Sequence, residues 1–438
     1  MHSRLTFLVP HWLRLAPGLS LLIAAFLASA CSRQSGETVG AARDSNPDAD
    51  AAVASSDDRD DALAGRNYRS VAEKVVSQSA RVKQGDVVLI DGSVADLPLL
   101  EDLAIEVQKR GASPLVTVES NRLARRYFDE VPAQYDSVTP EAFLKLAGII
   151  DVFLGTESFE GNTLKGVSPE RLTARGKATA SIGTLMQKRG VRGVFLGNGL
   201  YPSVTNAEQF DVSRRDLADM LYGGVDVDYA QLQQTGESLR QLLSTAKEVR
   251  ITAPNGTDLR AKLGGRPVFV SDGIISPEDQ RRGGPATSVW LPAGEVYLIP
   301  TPGSAEGTVV VERDFYQGEP IDGLRLEFKG GKLASMSAKS GLDPLKAQYD
   351  ASGQGRDVLG VIDFGINPGL KLPEGKPIHA WSRAGMVTIG VGNNTWAGGQ
   401  NQVPFGMSPY LPNATVTVDG KVLIQDGKLQ SPEKVAMN

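Results

Sequence analysis

The chain has 438 residues, of which 41% are hydrophobic and 22% are charged, and its formal net charge is −5. These values are typical of a globular protein with room for two domains. An acidic chain without a basic cluster argues against nucleic-acid binding, because lysines and arginines must replace the counterions of the phosphates.

The first 30 residues read as an export signal. Two basic residues, Arg4 and Arg14, precede an apolar run at residues 19–30 that is too short to span a bilayer alone. Cys31 is the single cysteine of the chain, so no disulfide can form within it.

The string LASAC, which ends at Cys31, resembles the lipobox of bacterial lipoproteins, although Ala28 stands where that pattern prefers leucine. We therefore expect lipidation at Cys31 and a membrane partner through the lipid, in the bacterial cell envelope. Ser32 favours the outer membrane, facing the periplasm. The alternative is an ordinary signal peptide followed by a stray cysteine.

Residues 31–66 are predicted to form the lipidated cysteine and a disordered acidic tether. They are rich in Ala, Asp, Ser and Gly and nearly lack large apolar side chains. Such a segment cannot bury enough surface to offset its chain entropy. We expect a flexible spacer between the membrane and the folded part.

Residues 67–248 alternate between short apolar runs and amphipathic stretches. This alternation indicates βαβ units, so we predict an α/β domain with a mainly parallel sheet. Strands are predicted at residues 86–91, 113–120, 151–156 and 191–197, and helices at residues 97–111, 140–148, 169–190 and 227–248.

Residues 249–438 are predicted to form a β-rich, barrel-like domain. Short β-rich runs recur there between Gly, Pro and Asn turns, and a helix is expected at residues 342–351. The strings FKGGKL and VDGKVLIQDGKL are typical of hairpins in which glycine supplies the positive φ.

Glu295 is the strongest single candidate for chemistry, because the turn at Gly294 can aim its carboxylate at a pocket, although such a residue is more commonly a solvated strand edge. Without the leader the chain keeps one histidine, His379. A zinc site normally takes at least three protein ligands. Glu295, Asp363 and His379 are chemically suitable as metal ligands, but their spacing follows no recognised motif.

Nucleophile motifs give little support for catalysis. The sequence has no G-x-S-x-G elbow and no P-loop. Ser244 and Lys247 form an S-x-x-K string without the other motifs of that hydrolase class. No catalytic residue is assigned.

The run LPAGEVYLIPTPGSAEGTVVVE at residues 291–312 resembles a segment of the thermophilic metalloproteases, the aminopeptidase T-like (leucyl aminopeptidase) family. The resemblance spans roughly residues 75–430 and continues through GVIDFGINPG (360–369), AGMVTIGVGNN (384–394), GGQN (398–401) and TVTVDGKVLIQDGKL (415–429). It implies an α/β domain, a β-rich domain with a two-metal site that activates water, and a homodimer.

Carried over position by position, the resemblance keeps one metal-binding glutamate, Glu295. The remaining ligand positions fall on other residues: Val361, the segment 381–383, Thr388, Gly406 and Ser408. Valine offers no lone pair and glycine no side chain. Asp363 would need a backbone shift to replace the ligand that is missing at Val361.

The sequence therefore predicts a divergent, non-catalytic binding relative of the aminopeptidases that holds no cofactor. Its predicted ligand is a peptide or an amino-acid-like molecule. We expect Trp381, Trp396 and Tyr410 to line an apolar pocket, where Arg383 meets a ligand carboxylate.

The alternative is an active metal-dependent aminopeptidase. In that case Glu295, Asp363 and His379 form a remodelled site that holds a divalent metal, zinc or cobalt. The two hypotheses differ in whether three ligands converge on one point.

Overall fold

The computed structural model describes residues 63, 65–158, 163–316, 319–373, 376, 378 and 380–430. The predicted leader (1–30), Cys31 and nearly all of the predicted tether (31–66) lie outside this part of the chain, as does His379. Within the described residues, no helix combines the length and the apolar character needed to cross a membrane.

Helices dominate the part of the chain before residue 246. Their bounds are α1 Arg69–Lys74, α2 Leu97–Lys109, α3 Asn121–Glu130, α4 Glu141–Ala147, α5 Pro169–Arg189, α6 Val204–Phe210, α7 Arg214–Val225 and α8 Tyr229–Thr245. Two short helices follow, α9 Pro277–Arg282 and α10 Asp343–Ala351. Many begin at a residue whose side chain accepts a hydrogen bond from a first-turn amide: Ser120, Ser168, Ser203, Ser213, Asp228 and Ser276.

The strands of the first half are β1 Val87–Ser93, β2 Ser113–Glu119, β3 Val152–Thr156 and β4 Arg192–Leu196. Those of the second half are β5 Glu248–Ala253, β6 Thr257–Lys262, β7 Val268–Ser271, β8 Ser288–Leu291, β9 Glu295–Leu298, β10 Glu306–Tyr316, β11 Glu319–Lys329, β12 Lys332–Ser337, β13 Leu359–Gly365, β14 Val387–Gly392, β15 Gly406–Met407, β16 Tyr410–Leu411, β17 Thr415–Val418, β18 Lys421–Gln425 and β19 Lys428–Leu429.

The N-terminal sheet is parallel, with the strand order β2-β1-β3-β4-β8. Its central strands β1, β3 and β4 are buried on both faces, whereas the edge strand β2 is largely exposed. Leu89 and Phe153 belong to a core cluster with Ile182 of α5, whereas Ile90 belongs to the main core with Leu99 of α2. Because alternate strand residues point to opposite faces, helices cover both sides of the sheet, as parallel sheets require.

The C-terminal part forms two antiparallel sheets. One has the order β12-β11-β10-β6-β5-β17-β18-β19. The other has the order β15-β14-β13-β9-β7, and β16 also pairs with β14. The predicted fold class, an α/β domain with a parallel sheet followed by a β-rich domain, is confirmed.

One strand crosses the predicted boundary at residue 248. Strand β8 lies in the segment that the sequence placed in the β-rich domain, yet it pairs in parallel with β4, with Ser288 facing Gly193 and Leu291 facing Leu196. The chain then turns at residues 292–294 and enters β9 in the antiparallel sheet. The sequence analysis predicted neither this strand nor its partner, which lies about 95 residues away in sequence.

Candidate functional site

A small cavity of about 30 Å³ lies on one face of the sheet that contains β13. Its lining residues are Glu295, Val361, Asp363, Trp381, Thr388, Gly390, Trp396, Ser408 and Tyr410. Most positions to which the family resemblance assigned metal ligands meet in this cavity, so the sequence comparison and the geometry point to the same place.

The pairing register explains why these side chains meet. Asp363 on β13 faces Tyr297 on β9 and Thr388 on β14, and Thr388 also faces Tyr410 on β16. Glu295 lies two residues before Tyr297 and therefore shares its face of the sheet. The result is a row of polar side chains that crosses four neighbouring strands.

Asp363 reaches the cavity without any displacement of the backbone. It lies two residues after Val361 on the same strand, and residues two apart share a face, so both line the cavity. Asp363 therefore faces the cavity beside Val361, and its replacement of the ligand missing at Val361 stays a prediction.

Glycines allow the chain to close around the site. A Cβ on Gly294, whose φ is +127°, would lie 2.8 Å from the Cβ of Asn367. A Cβ on Gly365 would lie 2.1 Å from the carbonyl oxygen of Arg383 and 2.2 Å from that of Trp381. The segment 381–383 thus passes directly against β13, and this contact brings the Trp381 indole to the cavity.

The turn after β14 presents a second indole. Asn394 accepts a hydrogen bond from the Asn401 amide over 2.9 Å, which closes the loop around the short 3₁₀ helix Thr395–Ala397. Trp396 on that helix packs against Tyr297 with ring centroids 5.6 Å apart. The asparagines and glycines of this loop therefore position an aromatic side chain.

The opposite wall is also aromatic. Trp381 and Tyr410 stack with ring centroids 6.2 Å apart and an interplanar angle of 17°. The faces of such rings attract cations, because the ring quadrupole is negative above and below its plane.

The two carboxyl groups of the cavity, Glu295 and Asp363, both have raised pKa values. Burial raises the pKa of Glu295 to about 8, and the hydrogen bond from Trp381 offsets part of this rise. Burial also raises the pKa of Asp363 well above its usual range, and the nearby charge of Glu295 raises it further. Each ionised group disfavours ionisation of the other.

A third carboxyl group lies near the same wall. Burial raises the pKa of Asp314, on β10, to about 6. The negative charge of Asp314 raises the pKa of Tyr410, although burial is the larger cause. Asp363 and Glu295 raise the pKa of Tyr410 in the same way.

Asp363 Oδ1 and Thr388 Oγ1 are buried polar atoms of the cavity for which the described part of the chain supplies no hydrogen-bond partner. Asp363 is 6% exposed and Thr388 is 7% exposed. Buried polar atoms nearly always have a partner, so two orphans on facing residues mark a position where a ligand atom or water belongs.

The structure brings some of the predicted site residues together and leaves others away from the cavity. Glu295, Asp363 and Trp381 come together on the cavity. Arg383, which was predicted to meet a ligand carboxylate there, instead directs its guanidinium to the Gly427 carbonyl oxygen over 3.3 Å and does not line the cavity. Burial lowers the pKa of Arg383. His379 lies outside the described residues.

Sequence reasoning did not nominate Thr388 or Asp314 as functional residues. Thr388 carried a signal, because it stands where the family resemblance placed a histidine. Asp314 carried no signal, because it lies in an ordinary strand, β10, and its charge acts on Tyr410 only in the folded chain.

The described donors do not fit two divalent metal ions. Within the described residues, no group of three or more His, Cys, Asp or Glu side chains is placed to hold a metal. Each ion would need about four donors, and the lining offers two carboxyl groups beside hydroxyls, indoles, a valine and a glycine.

The sequence profile of the thermophilic metalloprotease (M29) family matches residues 65–360. The chain belongs to this family. The match ends one residue before Val361, so of the residues that line the cavity it includes Glu295 alone.

Two curated aminopeptidases are similar to this M29 member. Aminopeptidase AmpS of Bacillus subtilis is 20% identical over 318 residues, which cover 68% of this chain and 76% of that protein. Aminopeptidase PepS of Streptococcus thermophilus is 24% identical over 314 residues, which cover 64% and 72%.

Two solved structures share the fold. AmpT of Thermus thermophilus matches with a TM-score of 0.60 at 17% identity, over 83% of this chain and 99% of that chain. A 2,5-dihydroxypyridine dioxygenase of Pseudomonas putida matches with a TM-score of 0.51 at 16% identity, over 84% and 98%. Because this fold also occurs in a dioxygenase, the fold does not determine the chemistry.

Proposed function

We propose that this M29 member is a non-catalytic relative of the aminopeptidases whose cavity binds a small ligand. The observation that carries the proposal is the composition of the cavity. Among the positions that the family resemblance assigns to metal ligands, Glu295 still carries a carboxyl group. Asp363, which is not one of those positions, adds a second carboxyl group to the cavity. Val361, Thr388 and Ser408 occupy the other positions there.

The chemical reason lies in what metal-dependent hydrolysis requires. Two metal ions about 3.5–4 Å apart must be held while one activates water and both stabilise the displaced oxygens. Valine cannot ligate a metal, and neutral hydroxyls of threonine and serine are poor replacements for histidine and carboxylate ligands. The retained glycines and asparagines serve the fold of the site rather than its chemistry.

A binding function fits the same residues. The walls supplied by Trp381, Trp396 and Tyr410 offer apolar surface, and the orphaned atoms of Asp363 and Thr388 offer a few directed polar contacts. Small-molecule sites generally combine these two features.

Metal content and hydrolysis test the proposal together. The full chain is incubated with zinc or cobalt, desalted, and assayed for metal per chain and for cleavage of aminoacyl substrates, beside Glu295→Gln. We expect close to zero metal and no cleavage in both proteins. One or two equivalents of metal that disappear in Glu295→Gln, together with cleavage, would contradict the proposal.

The second candidate function is a hydrolase with a remodelled metal site. It is favoured by the meeting of Glu295 and Asp363 on one cavity, and by Trp381, which lines that cavity two residues after His379 in sequence. If this function holds, His379→Ala and Asp363→Asn should each abolish metal binding and cleavage. A control substitution, Asp322→Asn on β11, should leave both unchanged.

We also propose that the folded part is held at the envelope by a lipid on Cys31, with residues 32–66 as the spacer. Support comes from the lipobox-like string and the acidic, small-residue composition. Mass spectrometry of the mature N-terminus should find a lipid-modified Cys31. An unmodified chain that begins after residue 31 would contradict the anchor and leave the binding proposal intact.

A further inference from the structure

The cavity holds two carboxyl groups that would ionise beside a bound cation, and no cationic side chain among the described residues lines it. Among its lining residues Glu295 and Asp363 are acidic, and none is a lysine, arginine or histidine. Arg383, close in sequence, sends its guanidinium to the Gly427 carbonyl. Arg282, whose charge acts on Tyr297, lies 3.6 Å from Asp279 at the surface. A cation is therefore the complement that this cavity lacks.

The hydrogen-bond acceptors of the cavity suit a ligand group that carries several N–H donors. Asp363 Oδ1 and Thr388 Oγ1 have no partner, and the two residues face each other across β13 and β14. The Glu295 carboxylate lies on the same face and also lines the cavity. A primary ammonium carries three N–H donors, which equals the number of these acceptors.

The walls suit the same cation. The stacked pair Trp381 and Tyr410 and the indole of Trp396 present aromatic surface to the cavity. Aromatic faces stabilise ammonium groups that are partly removed from water. A neutral head would gain little from these faces, and an anionic head would raise the cost of ionising the two carboxyl groups.

The volume limits what can enter. A cavity of about 30 Å³ holds one group of the size of a water molecule or an ammonium head. A trimethylated ammonium is too large and has no N–H donor. A divalent metal would fit by size, but the described donors are too few for it.

We propose that this cavity is a receptor for the primary ammonium head of an amine, held by Glu295, Asp363 and Thr388 between aromatic walls. The inference rests on the proposed binding function and names its ligand class. The shared chemistry is the –NH₃⁺ head, whether a free amine or the amino terminus of a peptide supplies it.

Calorimetry and tryptophan fluorescence on the full chain test this inference with matched probes. The probes are n-butylamine, n-butanol as its neutral counterpart, tetramethylammonium as a cation without N–H donors, and one dipeptide amide with a free or an acetylated amino terminus. We expect saturable binding of butylamine, no binding of butanol or tetramethylammonium, and loss of dipeptide binding on acetylation. If butylamine binds and neither dipeptide does, the source is a free amine.

Conservative variants locate the site. Asp363→Asn should weaken butylamine binding by about tenfold or more, because it removes a carboxyl group that can ionise against the bound ammonium, and Thr388→Val should weaken it by roughly threefold to tenfold. Thr417→Val on β17 and Asp322→Asn on β11 are the matched controls and should bind like the wild type. Thermal unfolding checks that each variant is folded, and Thr388→Val replaces Asp363→Asn if the latter is not.

The outcomes separate the two proposals. Equal binding of butanol and butylamine, no butylamine binding up to millimolar concentrations, or unchanged affinity in folded Asp363→Asn and Thr388→Val would overturn the ammonium site. Saturable binding of neutral or acidic ligands would then leave the broader binding function standing. Metal-dependent cleavage lost in Glu295→Gln would overturn both.

Discussion

Asp96 in the first half of the molecule and Asp363 in the second are both buried, and the two differ in how their hydrogen bonds are completed. Asp96, 1% exposed, accepts bonds from the Ser93 amide and hydroxyl at 2.9 Å, from Thr156 Oγ1 at 2.7 Å and from the Tyr201 hydroxyl at 2.8 Å. Asp363, 6% exposed, has one oxygen without a partner.

The difference is between a carboxyl group whose hydrogen bonds the protein completes and one that we propose meets a ligand. A buried polar network stabilises the fold when every member is satisfied, and an unpaired buried atom costs free energy. The network around Asp96 is closed by the protein itself and joins β1 to β3 and to the loop after β4. The site around Asp363 is left open, so its missing contact is available to a ligand.

The largest expected effect on stability comes from removing Asp96, the acceptor at the centre of the closed hydrogen-bond network. Asp96→Ala leaves the hydroxyls of Thr156 and Tyr201 buried without an acceptor, and we expect the free energy of unfolding to fall by about 3 kcal/mol or more. Asp363→Asn should change it by less than about 1 kcal/mol. Urea unfolding of both variants measures the contrast, and equal losses would remove the distinction between the two sites.

The next effect concerns the contact that brings Trp381 to the cavity. Gly365→Ala places a methyl group within about 2.2 Å of two carbonyl oxygens, so the segment 381–383 must move away from β13. We expect destabilisation of about 1–3 kcal/mol and a shifted tryptophan emission. The control is Gly176→Ala in α5, where a Cβ meets nothing within 4 Å. A Gly365→Ala protein with wild-type emission and stability would contradict this account of the cavity.

The third prediction concerns pH. The pKa of Glu295 is about 8 in the folded chain against 4.5 as its ordinary value, so the folded state binds the proton more tightly. The stability linked to that proton is complete below the ordinary pKa and is lost as the pH rises through about 8.

The free energy of unfolding of the wild type should therefore fall by at least about 1.4 kcal/mol between about pH 5 and about pH 8.5. This fall is the equivalent of one pKa unit. Glu295→Gln should lose less over the same interval, since glutamine does not titrate. Urea unfolding at both pH values measures this difference. Parallel losses in the two proteins would show that the raised pKa belongs to another group.

The smallest effect compares two buried threonines. Thr156→Val removes a hydroxyl that donates to Asp96 over 2.7 Å and should cost about 1 kcal/mol. Thr388→Val removes a hydroxyl without a partner and should be neutral or stabilising by up to about 1 kcal/mol. Thermal unfolding of the pair gives the sign, and destabilisation by Thr388→Val would mean that its hydroxyl is already satisfied.

Much of the secondary structure followed from local pattern. The predicted strand at residues 151–156 corresponds to β3, Val152–Thr156, and the predicted helix at residues 169–190 corresponds to α5, Pro169–Arg189. Periodic apolar residues and capping residues determine such elements within a short stretch of chain. Helices α1, α3, α6, α7 and α9 were not predicted. The shortest of them, α1, α6 and α9, offer too little pattern, whereas α7 buries Leu217, Leu221 and Val225 at helical spacing and could have been predicted.

The sequence by itself determined the alternation of helices and strands, the β-rich second half, and the candidacy of Glu295, Asp363 and Trp381, because these depend on neighbours along the chain and on one family resemblance. Tertiary structure alone decided that β8 joins the parallel sheet, that Arg383 leaves the cavity, and that Thr388 faces Asp363. Strand pairing joins residues far apart in sequence, and a shift of one residue would turn every side chain to the other face. The register across β9, β13, β14 and β16 therefore creates the site.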